Sequence, residues 1–160
     1  GVDYDKKLIK LIVNQLDKIN SIGLKLIVRI HPGCKKSDYS FMSSELIQES
    51  KSVPLFESLS SVKFIIGLHS SSMVSAALQG IKTFRAELEG FPRRHELPGV
   101  ETVFQQSIEN GRFVDTLLSP NKHLVKDGDI SALNQYCYGD PAKSVVYKEI
   151  IEELLSGGEI

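Results

Sequence analysis

The feature that most constrains this chain is a pair of short apolar runs, each closed by a polar turn. Residues 24–30 (LKLIVRI) run into His31, Pro32 and Gly33, and residues 62–68 (VKFIIGL) run into His69, Ser70, Ser71 and Ser72. Runs of this length, rich in β-branched residues and almost wholly apolar, read as strands buried on both faces of a parallel sheet. Parallel strands need crossover connections, usually helices. One helix is predicted over residues 5–20, where Leu8, Ile9, Leu11, Ile12, Leu16 and Ile19 recur at three- and four-residue steps before Gly23 turns the chain. A second is predicted over residues 73–78, closed by Gly80.

The remaining stretches extend the alternation. Residues 43–49 predict a short helix capped by Ser43 or Ser44, residues 53–56 an extended stretch, and residues 58–61 a connection with a helical turn. Residues 82–85 open another strand, and residues 87–98, which contain EGFPRRHELP, predict an exposed loop. Residues 103–108 read as helical and residues 113–118 as extended. Residues 142–155 carry Val145, Val146, Ile150, Ile151, Leu154 and Leu155 at helical spacing, with Gly157 and Gly158 as the stop. Strands alternating with helices predict an α/β domain, a Rossmann-like open parallel sheet with helices on both faces. At 160 residues the chain has room for one such domain, spanning residues 1–160.

Composition removes several classes of function. Hydrophobic residues make up 41% and charged residues 24%, the balance of a globular protein. No apolar run approaches the roughly 20 residues that span a bilayer, and the opening residues carry no signal-peptide pattern. A formal net charge of -1 lacks the basic face that nucleic acid requires, so no nucleic-acid partner is expected. Cys34 and Cys137 have no ligand or disulfide spacing and are expected to be unpaired thiols in a cytoplasmic setting. The chain starts at Gly1 and enters a helical pattern almost at once, which leads us to expect a piece of a longer polypeptide whose amino-terminal domain carries part of the chemistry.

In an open parallel sheet, ligands bind beyond the carboxyl ends of the strands, where helix amino termini aim their unpaired N–H groups. At the first such end, Pro32 fixes a turn, Gly33 permits close backbone approach, and the His31 imidazole is left to project. At the second, one of Ser70, Ser71 and Ser72 can cap the following helix while the others offer hydroxyls beside its N–H groups, forming a cradle for phosphate. Each loop also has a plain reading: an ordinary turn for His31 and Pro32, and an N-cap for the serines. His69 adjoins the serines as either a phosphate contact or a satisfied structural group.

The segments IVRIHPG and IIGLHSSSMVSAALQGIKTF resemble the His-Pro and Ser-Ser motifs of bacterial GT-B-type sialyltransferases and polysialyltransferases. They are more loosely similar to capsule-linking Kdo transferases and CDP-glycerol transferases. The likeness covers residues 24–86. It implies the carboxyl-terminal, donor-binding half of a GT-B enzyme that uses a CMP-activated acidic sugar in bacterial surface polysaccharide synthesis. By position, it implies that His31 binds the leaving phosphate and assists departure, and that Ser70 to Ser72 supply hydroxyl contacts. The implied partners are a nucleotide-sugar donor, a glycan acceptor and the amino-terminal domain, at the inner face of the membrane. A CDP-glycerol or polyol-phosphate transferase, a sugar epimerase domain, or a non-catalytic Rossmann-like interaction module are the alternative readings.

The acidic motif that supplies the catalytic base in those families has no counterpart before His31, since Asp127, Gly128 and Asp129 lie in the wrong half of the chain. This domain alone is therefore expected to bind donor but not to transfer. Relatives also place a glutamate on the helix after the serines, where this chain has Ser75 and Ala76. Glu87 and Glu89 fall where a GT-B domain faces its cleft, as contacts for ribose or cytosine or simply as surface charge. Arg93, Arg94 and His95 form a basic cluster suited to an anionic sugar or to solvent. Glu149, Glu152 and Glu153 read as the wet face of the terminal helix. No Gly-rich phosphate loop, metal-ligand set or nucleophile elbow is present in the sequence, so neither a metal nor a cofactor is expected.

Overall fold

The computed structural model describes residues 2–31, 33–49, 52–92 and 99–119. The chain begins with α1 (Val2–Val13), whose first turn carries Asp3 and Asp5 and whose last carries Lys10, complementing the helix dipole. The single helix expected over residues 5–20 is broken: the Gln15 N–H bonds back three residues to the Ile12 carbonyl, and α2 (Leu16–Ser21) then starts afresh. The break gives Gln15 and Lys18 a structural task. Their side chains donate to the carbonyls of Glu109 and Gly111, at 3.1 and 2.8 Å, and hold the corner between two later helices. Periodicity survives this kink because Leu8, Ile12 and Ile19 still enter one core.

Strand β1 (Val28–Ile30) is shorter than the apolar run that announced it. It pairs in parallel with β2 (Ile47–Glu49), Val28 opposite Ile47 and Ile30 opposite Glu49. The predicted helix over residues 43–49 shrinks to a single 3-10 turn at Ser44–Leu46, and the extended stretch expected at 53–56 is absent. Pro54 instead precedes α3 (Leu55–Ser60), so the second strand lies earlier in the chain than its sequence suggested. Arg29 explains why this arrangement holds. Its Nη1 donates to Gln48 Oε1, the Val53 carbonyl and Ser58 Oγ, at 3.3, 2.8 and 2.7 Å, tying β1, β2 and α3 together.

A second sheet follows, with β3 (Phe64–Gly67), β4 (Lys82–Glu87) and β5 (Val100–Phe104) parallel in that order and α4 (Ser71–Leu78) crossing between β3 and β4. The structure ends its described part with α5 (Gln105–Glu109) and α6 (Arg112–Leu117). Two expectations are corrected here. Residues 100–104 are strand where a helix was read from 103, because Val100 and Thr102 alternate with Glu101 and Val103 across the sheet. Residues 113–118, expected to be extended, are mostly helix: Gly111 takes a φ of 72° that parts α5 from α6, and Phe113, Val114 and Leu117 then bury one helical face.

Alternation along β4 distributes the layers. Phe84 and Ala86 face a core shared with Leu8 and Ile12 of α1, Ile108 of α5 and Phe113 and Val114 of α6, whereas Val74 and Ala77 of α4 pack with Val100 in a separate cluster. Helices therefore cover both faces of parallel strands, the Rossmann-like α/β arrangement expected from the sequence, here divided into a two-stranded and a three-stranded sheet. Leu26 packs against the cores of both sheets. Gly67 is where α4 comes closest to β3, since a Cβ there would stand 2.9 Å from Met73 Sδ. No helix among the described residues is long and apolar enough to cross a membrane.

The buried cations of β4 belong to this scaffold. Lys82 is 8% exposed and donates to the Thr116 and Ser119 carbonyls at 2.7 and 3.0 Å, satisfying the carboxyl end of α6, where a cation is favoured. Residues 142–155 and the basic cluster of Arg93, Arg94 and His95 lie outside the described residues, as do Pro32, Cys137, Asp127, Gly128 and Asp129.

Candidate functional site

The two loops singled out in the sequence do stand at strand ends. His31 follows β1 directly and is exposed. The Gly33 N–H donates to its Nδ1 at 3.1 Å, so the neutral imidazole carries its proton on Nε2 and presents that nitrogen outward as a donor. A Cβ on Gly33 would lie 3.3 Å from Nδ1, a tight contact for the ring as it is seated.

Behind this turn sits a small buried group. Tyr39 is 2% exposed, and its burial pushes the phenol well above its ordinary range, with the neighbouring Cys34 and the carboxylates of Asp5 and Asp38 acting in the same direction. The carboxyl of Asp5, an exposed residue of α1, is raised by partial desolvation, which nearby positive charge opposes.

At the end of β3, Ser70 is the N-cap of α4, with φ -147° and ψ 143°, and its Oγ accepts from the Ser72 N–H at 3.2 Å. The hydroxyls of Ser70 and Ser72 lie 2.6 Å apart, and the Met73 N–H bonds to the Ser70 carbonyl at 3.0 Å. Serine thus starts this helix for the ordinary reason, by satisfying N–H groups that the helix cannot. Ser71, at the first helical position, is exposed, and no hydrogen bond to its hydroxyl is present among the described residues. His69 is exposed at the same strand end. The structure brings Ser70 and Ser72 into direct contact and His31 onto Gly33, while no hydrogen bond among the described residues joins one turn to the other.

A third element was weighed only in part from the sequence. Arg85, buried at 4% exposure, donates from Nη2 to Glu87 Oε1 and to Thr102 Oγ1, both at 3.2 Å. Together with Ala86 and Leu88 the pair lines a cleft of about 80 Å³ that reaches Leu68, the residue before His69. Glu87 was a candidate from its place after a strand. Arg85 carried no sequence signal, because burial of a cation on a central strand is decided by its partners, Glu87 two residues along the same strand and Thr102 across the ladder. A larger open hollow of about 390 Å³ runs along β2 past Ile47, Gln48 and Glu49 and touches neither polar turn. Among the described residues, no three His, Cys, Asp or Glu side chains group closely enough to hold a metal ion.

Chemically, the serine turn can hold an anion. Hydroxyls, an N–H at the open end of α4 and the positive pole of an eight-residue helix converge there, and the neighbouring histidine can add a proton. The His31 turn can donate one hydrogen bond through Nε2, or carry charge when protonated. No family model, curated protein or solved structure matches this chain.

Proposed function

We propose that this chain is the donor-binding domain of a GT-B-type glycosyltransferase that uses a CMP-activated acidic sugar of the sialic acid or Kdo type. The single observation that carries the reading is the turn at Ser70, Ser71 and Ser72, where three hydroxyls meet the amino end of α4 just past a parallel strand. The His31 turn, ending β1 with its Nε2 turned outward, supports it as a second contact to the same phosphate.

Breaking the bond between a sugar's anomeric carbon and phosphate builds negative charge on the departing nucleotide. Preorganised donors that meet this charge stabilise the transition state more than the ground state, which is what accelerates the step. In this reading Ser71 and Ser72 donate to the phosphate, and His31 donates through Nε2 and lends its proton to the leaving group. The carboxylate that activates the acceptor comes from another domain, so this chain by itself binds donor and does not transfer.

The test is calorimetric titration of the chain with CMP, CDP and UDP. Tightest binding of CMP is expected. Preference for CDP would favour a polyol-phosphate transferase instead, and preference for UDP a sugar epimerase or related domain. Ser70's role as an N-cap favours one other reading, a non-catalytic Rossmann-like module in which the serines only start a helix; that reading predicts no binding of any nucleotide.

A further inference from the structure

The open edge of the two-stranded sheet takes no part in the nucleotide reading. Among the described residues β2 is paired on one side only, with β1. The hollow of about 390 Å³ beside it is lined by Ile47, Gln48 and Glu49 in succession. Successive residues of a strand point to opposite faces of a sheet, so a hollow that touches all three runs along the free edge and not over one face. Such an edge offers main-chain N–H and C=O groups to a strand that can lie beside it.

The edge is firm. Gln48 Oε1 accepts from Arg29 Nη1 at 3.3 Å and from Ser58 Oγ at 2.7 Å, which ties the middle residue of β2 to β1 and α3. A strand already ordered in this way spares an incoming one the cost of arranging it. Its apolar stretch is open as well: Ile27, 52% exposed, lines the hollow together with the half-buried Ile47 and Val53.

Charge decides what can lie there. The chain leaves β1 at its exit end and returns to the entry end of the parallel β2 through residues 31–46. Lys36, early in that connection, borders the exit end of the hollow, and Glu45, two residues before β2, borders its entry end. Both are exposed, and no ion pair among the described residues engages either. An antiparallel neighbour reverses the two ends. A second copy related by a two-fold axis at Gln48 therefore sets the partner's Glu45 against Lys36, and the partner's Lys36 against Glu45. The same register puts Glu49 opposite the partner's Ile47, so like charges do not face each other. Charges at a short edge also turn away strands that cannot match them.

We infer that a second copy of this chain docks on the β2 edge, joining the two small sheets into one across a two-fold axis, with a Lys36–Glu45 pair closing each end. The inference stands apart from the serine turn and its phosphate.

Sedimentation of the full chain from about 1 μM to about 1 mM tests it, a range that covers weak dissociation constants. A monomer–dimer equilibrium is expected, and it should weaken as salt is added, because the end pairs are exposed. Lys36→Glu or Glu45→Lys alone sets like charges against each other at both ends and should weaken association by about tenfold or more. The two variants mixed should pair with each other as tightly as the unaltered chain pairs with itself, since each supplies the charge that the other lacks. The amides of β2 should exchange with deuterium more slowly as the dimer forms. A chain that stays monomeric up to about 1 mM overturns the inference. So does a dimer that survives both reversals, or mixed variants that are folded by circular dichroism yet do not associate. Slower exchange in β2 only after another protein is added would assign the edge to a foreign strand and overturn it too.

Discussion

The Ser70 to Ser72 turn and the His31 turn occupy equivalent positions, each just past a parallel strand, yet they rest on different foundations. The serine turn stands on the three-stranded sheet, whose central strand is buried along nearly its whole length and whose core gathers Phe84, Ile108, Phe113 and Val114, each at most 2% exposed. The His31 turn ends a three-residue strand over a small core of Val28, Ile30, Tyr39 and Met42, tied to its neighbours by the Arg29 hydrogen bonds. A phosphate site gains from donors that need no rearrangement, and the better-founded turn is the one with its hydroxyls already joined. The His31 turn is the half in which local opening costs less, since little apolar surface holds it.

That contrast can be broken at its foundations first. Phe84→Ala removes a ring that is 0% exposed and should cost about 3–5 kcal/mol, read by urea denaturation, with loss of the whole cooperative transition. If it costs less than about 1 kcal/mol, the three-stranded half is not the well-packed core inferred from its burial. The smaller effect is at the cap. Ser70→Ala deletes the bond to the Ser72 N–H and should lower stability by about 1 kcal/mol in the same assay. A neutral result would mean that the serines do not secure α4, and that their closeness at the helix start has another purpose.

Much of this molecule was legible in its residues, and the misses have physical causes. The strand at 64–67, the helix after the serines and the strand from 82 were readable because each sits between clear punctuation, Gly80 above all, with its φ of 74°. The strand expected at 113–118 is mostly helix because Phe113, Val114 and Leu117 bury a helical face whose end Lys82 satisfies. Position in the fold outweighed propensity there. The break at Gln15 was hidden because its cause lies about ninety residues away, in the carbonyls of Glu109 and Gly111.

The site divides in the same way. His31 and the three serines were legible as polar turns at strand ends because such loops advertise themselves by composition. Their local bonds, the Gly33 N–H to His31 and the Ser72 N–H to Ser70, also follow from short-range chain geometry. The buried pairing of Arg85 was not legible, since it depends on Thr102 on the next strand, and no local pattern in a sequence encodes which side chain a neighbouring strand will bring alongside.

The central claim is that two turns on unequal foundations hold one phosphate, and the most direct measurement is a double-mutant cycle on CMP affinity with His31→Ala, Ser71→Ala and the pair. The account predicts that each single substitution weakens binding by about tenfold, as loss of one hydrogen bond to a charged group should. It also predicts that the double variant loses less than the product of the two, because both contacts serve one ligand group. Unchanged affinity in either single variant, with the fold intact, would contradict it.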